Sequence, residues 1–92
     1  MKLTRAEVYH AIDTEREYQS KKWSNNTPDG SEDIHSPEEW FMYMEDYINE
    51  AKHILSRDSE RTAYPQVMDI MRKVVAMGVC AMEQLGTTNR EE

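Results

Sequence analysis

Val74-Val75-Ala76-Met77-Gly78-Val79-Cys80-Ala81-Met82 is the longest apolar run in the chain, and its nine residues decide the fold class. It follows Tyr64-Pro65-Gln66-Val67-Met68-Asp69-Ile70-Met71-Arg72-Lys73, where apolar residues recur at helical spacing. Together they predict a helix over residues 62–85, beginning at Thr62 or Tyr64 and stopped by Gly86. The first half of this helix is amphipathic. The second is apolar on every side, and a helix of that kind is buried all round. Two partner helices from the same chain cannot surround it. The expected fold is therefore all-α, with three helices per chain forming a helical bundle completed by oligomerisation, as a homo-oligomer (dimer or higher). Gly78 would let another helix approach closely. The alternative, a monomer with an exposed patch, is uncommon among soluble proteins.

Working back from that run, Asp58-Ser59-Glu60-Arg61 is a polar link, and before it a second helix is expected over residues 37–57. Ser36-Pro37-Glu38-Glu39 supplies its start: a Ser cap, Pro at the first helical position and Glu at the third. Trp40, Met44, Tyr47, Ile48, Ala51, Ile54 and Leu55 repeat at helical spacing along it. Residues 24–36 read as a polar loop rich in turn formers. The first helix is expected over residues 4–23, with Thr4 and Glu7 as a capping box and neither Gly nor Pro inside. Residues 87–92 read as a frayed tail.

Ninety-two residues allow one domain, 1–92. A domain of that size buries only about 60% of the surface of its unfolded chain, so it often needs help from a metal, a disulfide or a partner. Cys80 is the single cysteine and sits in the apolar run, which excludes an intrachain disulfide and suits a reducing compartment. Met1-Lys2-Leu3-Thr4-Arg5 leads into a charged helical pattern and not into a signal peptide. The apolar run is far shorter than the ~20 residues of a membrane-spanning helix. No membrane partner and a cytoplasmic location are expected. A net charge of −7 argues against bulk DNA or RNA binding, which depends on neutralising phosphates. It leaves room for a small anionic ligand held by a few local cations.

On the first helix, Val8, Ala11 and Ile12 open an inward stripe that continues as Glu15, Gln19 and Lys22, with Arg16 and Trp23 beside it. A stripe that turns from apolar to charged suggests a helix leaving the core to line a polar pocket. The bland alternative is an exposed helix end, with Glu17 and Lys21 as a surface pair and Lys21 and Lys22 at the negative end of the helix dipole. On the second helix, Asp46 and Glu50 stand four apart, where like charges repel unless a cation or a solvated face relieves them. His53 follows Glu50 at the spacing of a di-iron motif, but such bundles need two of these motifs and only one is present. On the third helix, Asp69 and Lys73 read as an ordinary pair, or Arg72 and Lys73 as anion ligands.

The run Ile12-Asp13-Thr14-Glu15-Arg16-Glu17-Tyr18-Gln19-Ser20-Lys21-Lys22-Trp23 has an E-R-x-x-Q-x-x-K-W shape. With Trp40 and the acidic pair that follow, it resembles the MazG-like group of all-α nucleoside triphosphate pyrophosphohydrolases over residues 8–85. It is also similar to small proteins carried by bacteriophages, which would place it in the host cell cytoplasm. The resemblance implies two paired acidic motifs that hold Mg²⁺ against substrate phosphates. Here they fall on Asp46-Tyr47-Ile48-Asn49 and Gln66-Val67-Met68-Asp69, so Asn49 and Gln66 stand where carboxylates are expected. An amide oxygen brings no charge, and Mg²⁺ sites rely on that charge.

The resemblance thus implies a nucleotide or nucleotide-signal binding protein that sequesters its ligand without hydrolysis, with no catalytic residue and no cofactor. Arg16, Lys22, Arg72 and Lys73 would meet phosphates, Gln19 would line the pocket, and Trp23 with Tyr18 would stack on a base. One alternative is a Mg²⁺-dependent pyrophosphohydrolase with Asp46, Glu50 and Asp69 as metal ligands. Another is a non-enzymatic module that binds a protein through its acidic faces.

Overall fold

The computed structural model describes residues 1–25 and 27–91. Asn26 in the polar loop and Glu92 in the tail lie outside the described residues. Three α-helices form: α1 (Arg5–Ser24), α2 (Pro37–Ser56) and α3 (Tyr64–Leu85). The all-α expectation holds. Relative to the expected bounds, α1 runs on to Ser24, α2 ends one residue sooner, and α3 takes the later of its two starts. No helix among the described residues is long and apolar enough to cross a membrane.

The helix starts follow from their caps. The Glu7 amide donates to Thr4 Oγ1 at 3.2 Å while the Thr4 amide donates to Glu7 Oε1 at 3.0 Å. The Ser36–Glu39 pair repeats that reciprocal arrangement with the same two distances. α3 has no side-chain cap of its own. Asp58 does that work from the preceding turn, accepting from the Thr62 amide at 2.9 Å and the Ala63 amide at 2.7 Å. These backbone donors hold the Asp58 carboxyl below its ordinary range. At the other end Gly86 takes a positive φ of 83° and returns its amide to the Met82 carbonyl at 2.9 Å.

α3 is the central element. It packs against α1 on one side and α2 on the other, while α1 and α2 have no backbone-level contact with each other. Its buried residues are Val67, Ile70, Val74, Ala76, Met77 and Cys80. On α2 only Trp40 is buried; Met44, Tyr47, Ala51 and Ile54 are half-buried, and Ile48 and Leu55 are exposed.

α1 departs from the expected pattern. Val8 is exposed, Ala11 and Ile12 are only half-buried, and the buried side chains are Glu15, Arg16 and Gln19. The α1–α3 contact is thus fastened by polar groups. Arg72 Nε donates to Glu15 Oε1 at 2.7 Å, Arg16 Nε to Glu83 Oε2 at 2.6 Å, and Gln19 Nε2 to the Lys73 carbonyl at 3.1 Å. Such pairs specify one docking geometry more than they stabilise it, because desolvation offsets much of their attraction. The third face of α3 is open: Val75 and Met82, in the run expected to be buried all round, are exposed.

Candidate functional site: an aromatic cleft with carboxylates at its wall

Because α1 and α2 flank α3 without touching along their backbones, a wedge is left between them. Trp23, in the last turn of α1, and Trp40, in the first turn of α2, meet across it with ring centroids 5.9 Å apart. Trp40 is 3% exposed and anchors a cluster with Met77 and Cys80. Tyr43 and Tyr47 follow Trp40 at helical spacing, so all three rings share one face of α2. The result is a cleft of about 490 Å³ whose aromatic lining is Trp23, His35, Trp40, Tyr43 and Tyr47. That volume lies within the roughly 300–1,000 Å³ of small-molecule sites.

The loop of residues 27–36 brings Glu32, Asp33 and His35 to the cleft, and the structure shows what pins it. Arg16 Nη1 and Nη2 donate to the two oxygens of Glu32 at 2.8 and 2.7 Å, a fork-to-fork pair. This pair holds the Glu32 carboxyl below its ordinary range against the opposing effect of burial. Gln84 on α3 makes the second tie. Its Oε1 accepts from Trp40 Nε1 at 3.1 Å and from the His35 amide at 3.3 Å, and its Nε2 donates to the Asp33 carbonyl at 2.9 Å. The His35 ring then stands edge-on to Trp40 and Tyr43, at 5.3 and 5.2 Å.

Electrostatically the cleft is acidic. Glu32, Asp33 and Asp46 line it, and neither Lys nor Arg does. Glu32 is neutralised by Arg16, whereas Asp33 and Asp46 make no ion pair among the described residues. Such a wall can stack on a planar ring and accept hydrogen bonds from N–H groups at its edge.

The residues expected from sequence are scattered around this cleft. Trp23 lines it. Arg16 stands behind Trp23, 5.9 Å from the ring, with its guanidinium already held by Glu32 and Glu83. Gln19 is buried beside it, and its Oε1 has no hydrogen-bond partner among the described residues. The Lys73 ammonium lies 4.8 Å from the Tyr47 ring. Arg72 is held by Glu15 and, at 3.0 Å, by Asp69. Tyr18 and Lys22 are exposed on α1 and do not line the cleft. Of the expected metal set, Asp46 faces the cleft, Glu50 is exposed, and Asp69 is engaged by Arg72. No three His, Cys, Asp or Glu side chains among the described residues group to hold a metal ion.

Sequence reading missed Glu32, Asp33, His35, Tyr43 and the role of Gln84. The aromatic spacing Trp40, Tyr43, Tyr47 was visible. The loop's contribution was not, because it depends on Arg16 and Gln84 reaching it from 16 and 51 residues away. Compared with protein families, curated proteins and solved structures, the chain has no match.

Proposed function

We propose that this chain is a nucleotide-binding protein that takes its ligand by the base, in the aromatic cleft, and releases it unchanged. One observation carries the reading: four aromatic side chains from α1 and α2 surround a ligand-sized space edged by two unpaired carboxylates. Base–aromatic stacking is worth roughly 1–3 kcal/mol per base. The carboxylates of Asp33 and Asp46 accept from the exocyclic amino and ring N–H groups of a base. Phosphates lie outside the cleft, toward Lys73 beyond Tyr47 and the exposed Lys22. Arg16 and Arg72 act at one remove, by holding α1, α3 and the loop in place. Asp69 is held by Arg72 and Glu50 does not line the cleft, an arrangement that favours binding without turnover. The open face of α3 supports a chain that works as a homo-oligomer.

Quenching of tryptophan fluorescence by nucleosides and nucleotides tests the reading, with the ligand afterwards recovered by chromatography. Trp23→Ala should weaken binding about tenfold or more, while Tyr18→Ala, on the same helix but outside the cleft, should leave it unchanged. Absence of quenching by every nucleoside and nucleotide would refute the reading. A released monophosphate would restore hydrolysis.

A further inference from the structure

Tyr64, Met68, Met71, Val75, Gly78, Met82 and Leu85 follow one another along α3 at alternating steps of four and three residues. That is the spacing of a coiled-coil seam. Six of the seven are large apolar side chains, and all six are exposed, from 37% at Val75 to 58% at Met68. No charged residue interrupts the seam over the whole helix, a length of about 30 Å. The seam's N-terminal half is exposed, and its C-terminal half borders α2, where Gly78, Met82 and Leu85 edge a groove.

The chain also exposes more surface than a compact monomer of its mass. A compact monomer of this mass exposes about 5,600 Å², whereas this chain exposes 7589 Å². Its radius of gyration is 15.0 Å, against about 12 Å for a compact domain of this length. The surplus surface exceeds the roughly 800 Å² per partner of a standard stable interface.

The two halves of the seam differ in shape. Toward the C-terminal end, Gly78, Met82 and Leu85 line an apolar groove of about 340 Å³ between α3 and α2, with Phe41 and Met44 on its far side. Toward the N-terminal end, Tyr64, Met68 and Met71 stand out as a ridge, each at least half exposed. A ridge and a groove on one helix, symmetric about Val75 to within one residue, are complementary to themselves when the helix is reversed. Reversal sets Tyr64 opposite Leu85, Met68 opposite Met82, Met71 opposite Gly78 and Val75 opposite its own copy. The large Met71 then meets the one position without a side chain, where a Cβ would find only Met44 Cε, at 3.6 Å. A parallel pairing would instead set ridge against ridge and Gly78 against Gly78, leaving a void.

We infer that a second copy of this chain covers α3, the two α3 helices packing antiparallel about a two-fold axis at Val75. This is an isologous interface, in which each copy supplies both the ridge and the groove. It stands independently of the nucleotide reading, since none of the seam residues lines the aromatic cleft.

Sedimentation equilibrium and crosslinking through introduced cysteines, with the buried native thiol removed by Cys80→Ala in every crosslinking variant, test it together. The native chain should sediment as a dimer or a multiple of one at tens of micromolar. Val75→Glu should weaken association at least tenfold with helix content by circular dichroism retained, because Val75 is exposed in the single chain. Tyr9→Glu, exposed on α1, should leave association unchanged. Under mild oxidation Val75→Cys should crosslink to its own copy. Met68→Cys should not, yet should crosslink when mixed with Met82→Cys. A native chain that sediments as a monomer, an assembly indifferent to Val75→Glu, or Met68→Cys linking to itself as readily as Val75→Cys would overturn the inference. Crosslinking decides the case should the glutamate variant unfold.

Discussion

At the scale of single residues, Arg16 has the most consequential environment. It is 9% exposed and joins three parts of the chain: α1, the loop through Glu32, and α3 through Glu83. Glu32→Gln should cost about 2 kcal/mol of unfolding free energy, as expected for a largely buried, hydrogen-bonded charged pair. The cost should also depend on pH. The folded-state pKa of Glu32 is depressed by Arg16 from an ordinary value of 4.5. Its contribution is therefore complete above about pH 4.5 and is lost as pH falls through the folded value. Urea unfolding of the native chain and the variant should differ at about pH 6 and draw together as pH falls through the depressed folded-state value. Cys80 gives a second residue-scale expectation. It is fully buried, and burial pushes its thiol up to about 11. A thiol reagent should leave it unmodified in the native state and react once denaturant is added; rapid native labelling would contradict that burial.

At the scale of elements, α2 is the helix on which the site depends, because it carries Trp40, Tyr43, Asp46 and Tyr47 on one face. Its first turn is set by Ser36, whose hydroxyl accepts from the Glu39 amide. Ser36→Ala should destabilise the chain by about 1 kcal/mol in thermal or urea unfolding. The start of α2 is also where Gln84 reaches from α3 to Trp40 and the loop. Gln84→Leu, close in volume, should leave the Trp40 indole and the His35 amide without their acceptor. We expect a loss of about 1–3 kcal/mol and a weaker ligand-induced quench than in the native chain. An unchanged quench would mean that the loop is placed by Arg16 alone.

At the scale of the whole molecule, charge and shape pull against each other. Each copy carries a net charge of −7, yet the α3 seam by which two copies would join is free of charged groups. Repulsion between copies then acts over distance and is screened by salt, whereas apolar burial along the seam is not. Association measured by sedimentation should tighten as salt is raised from low to physiological concentration. An interface built on rim ion pairs would weaken instead.

The three helices, their caps and the central place of the apolar run were legible in the sequence, because each rests on local chemistry: Thr4 with Glu7, Ser36 with Glu39, Gly86 after Leu85. An open side to α3 was legible too, since the run Val74–Met82 has more apolar faces than two helices can cover. Of the cleft's lining, only Trp23 was legible as a ligand-binding residue; Trp40 and Tyr47 read as the packing stripe of α2. Whether Arg16 and Arg72 are offered to a ligand or held by carboxylates depends on where Glu32, Glu83 and Glu15 fall in space. That placement is a long-range outcome, and no spacing along the chain encodes it. Periodicity and caps therefore determined the elements. Tertiary packing alone decided that the polar stripe of α1 turns onto α3, that the loop closes on Arg16, and that the cleft between the helices is acidic and aromatic.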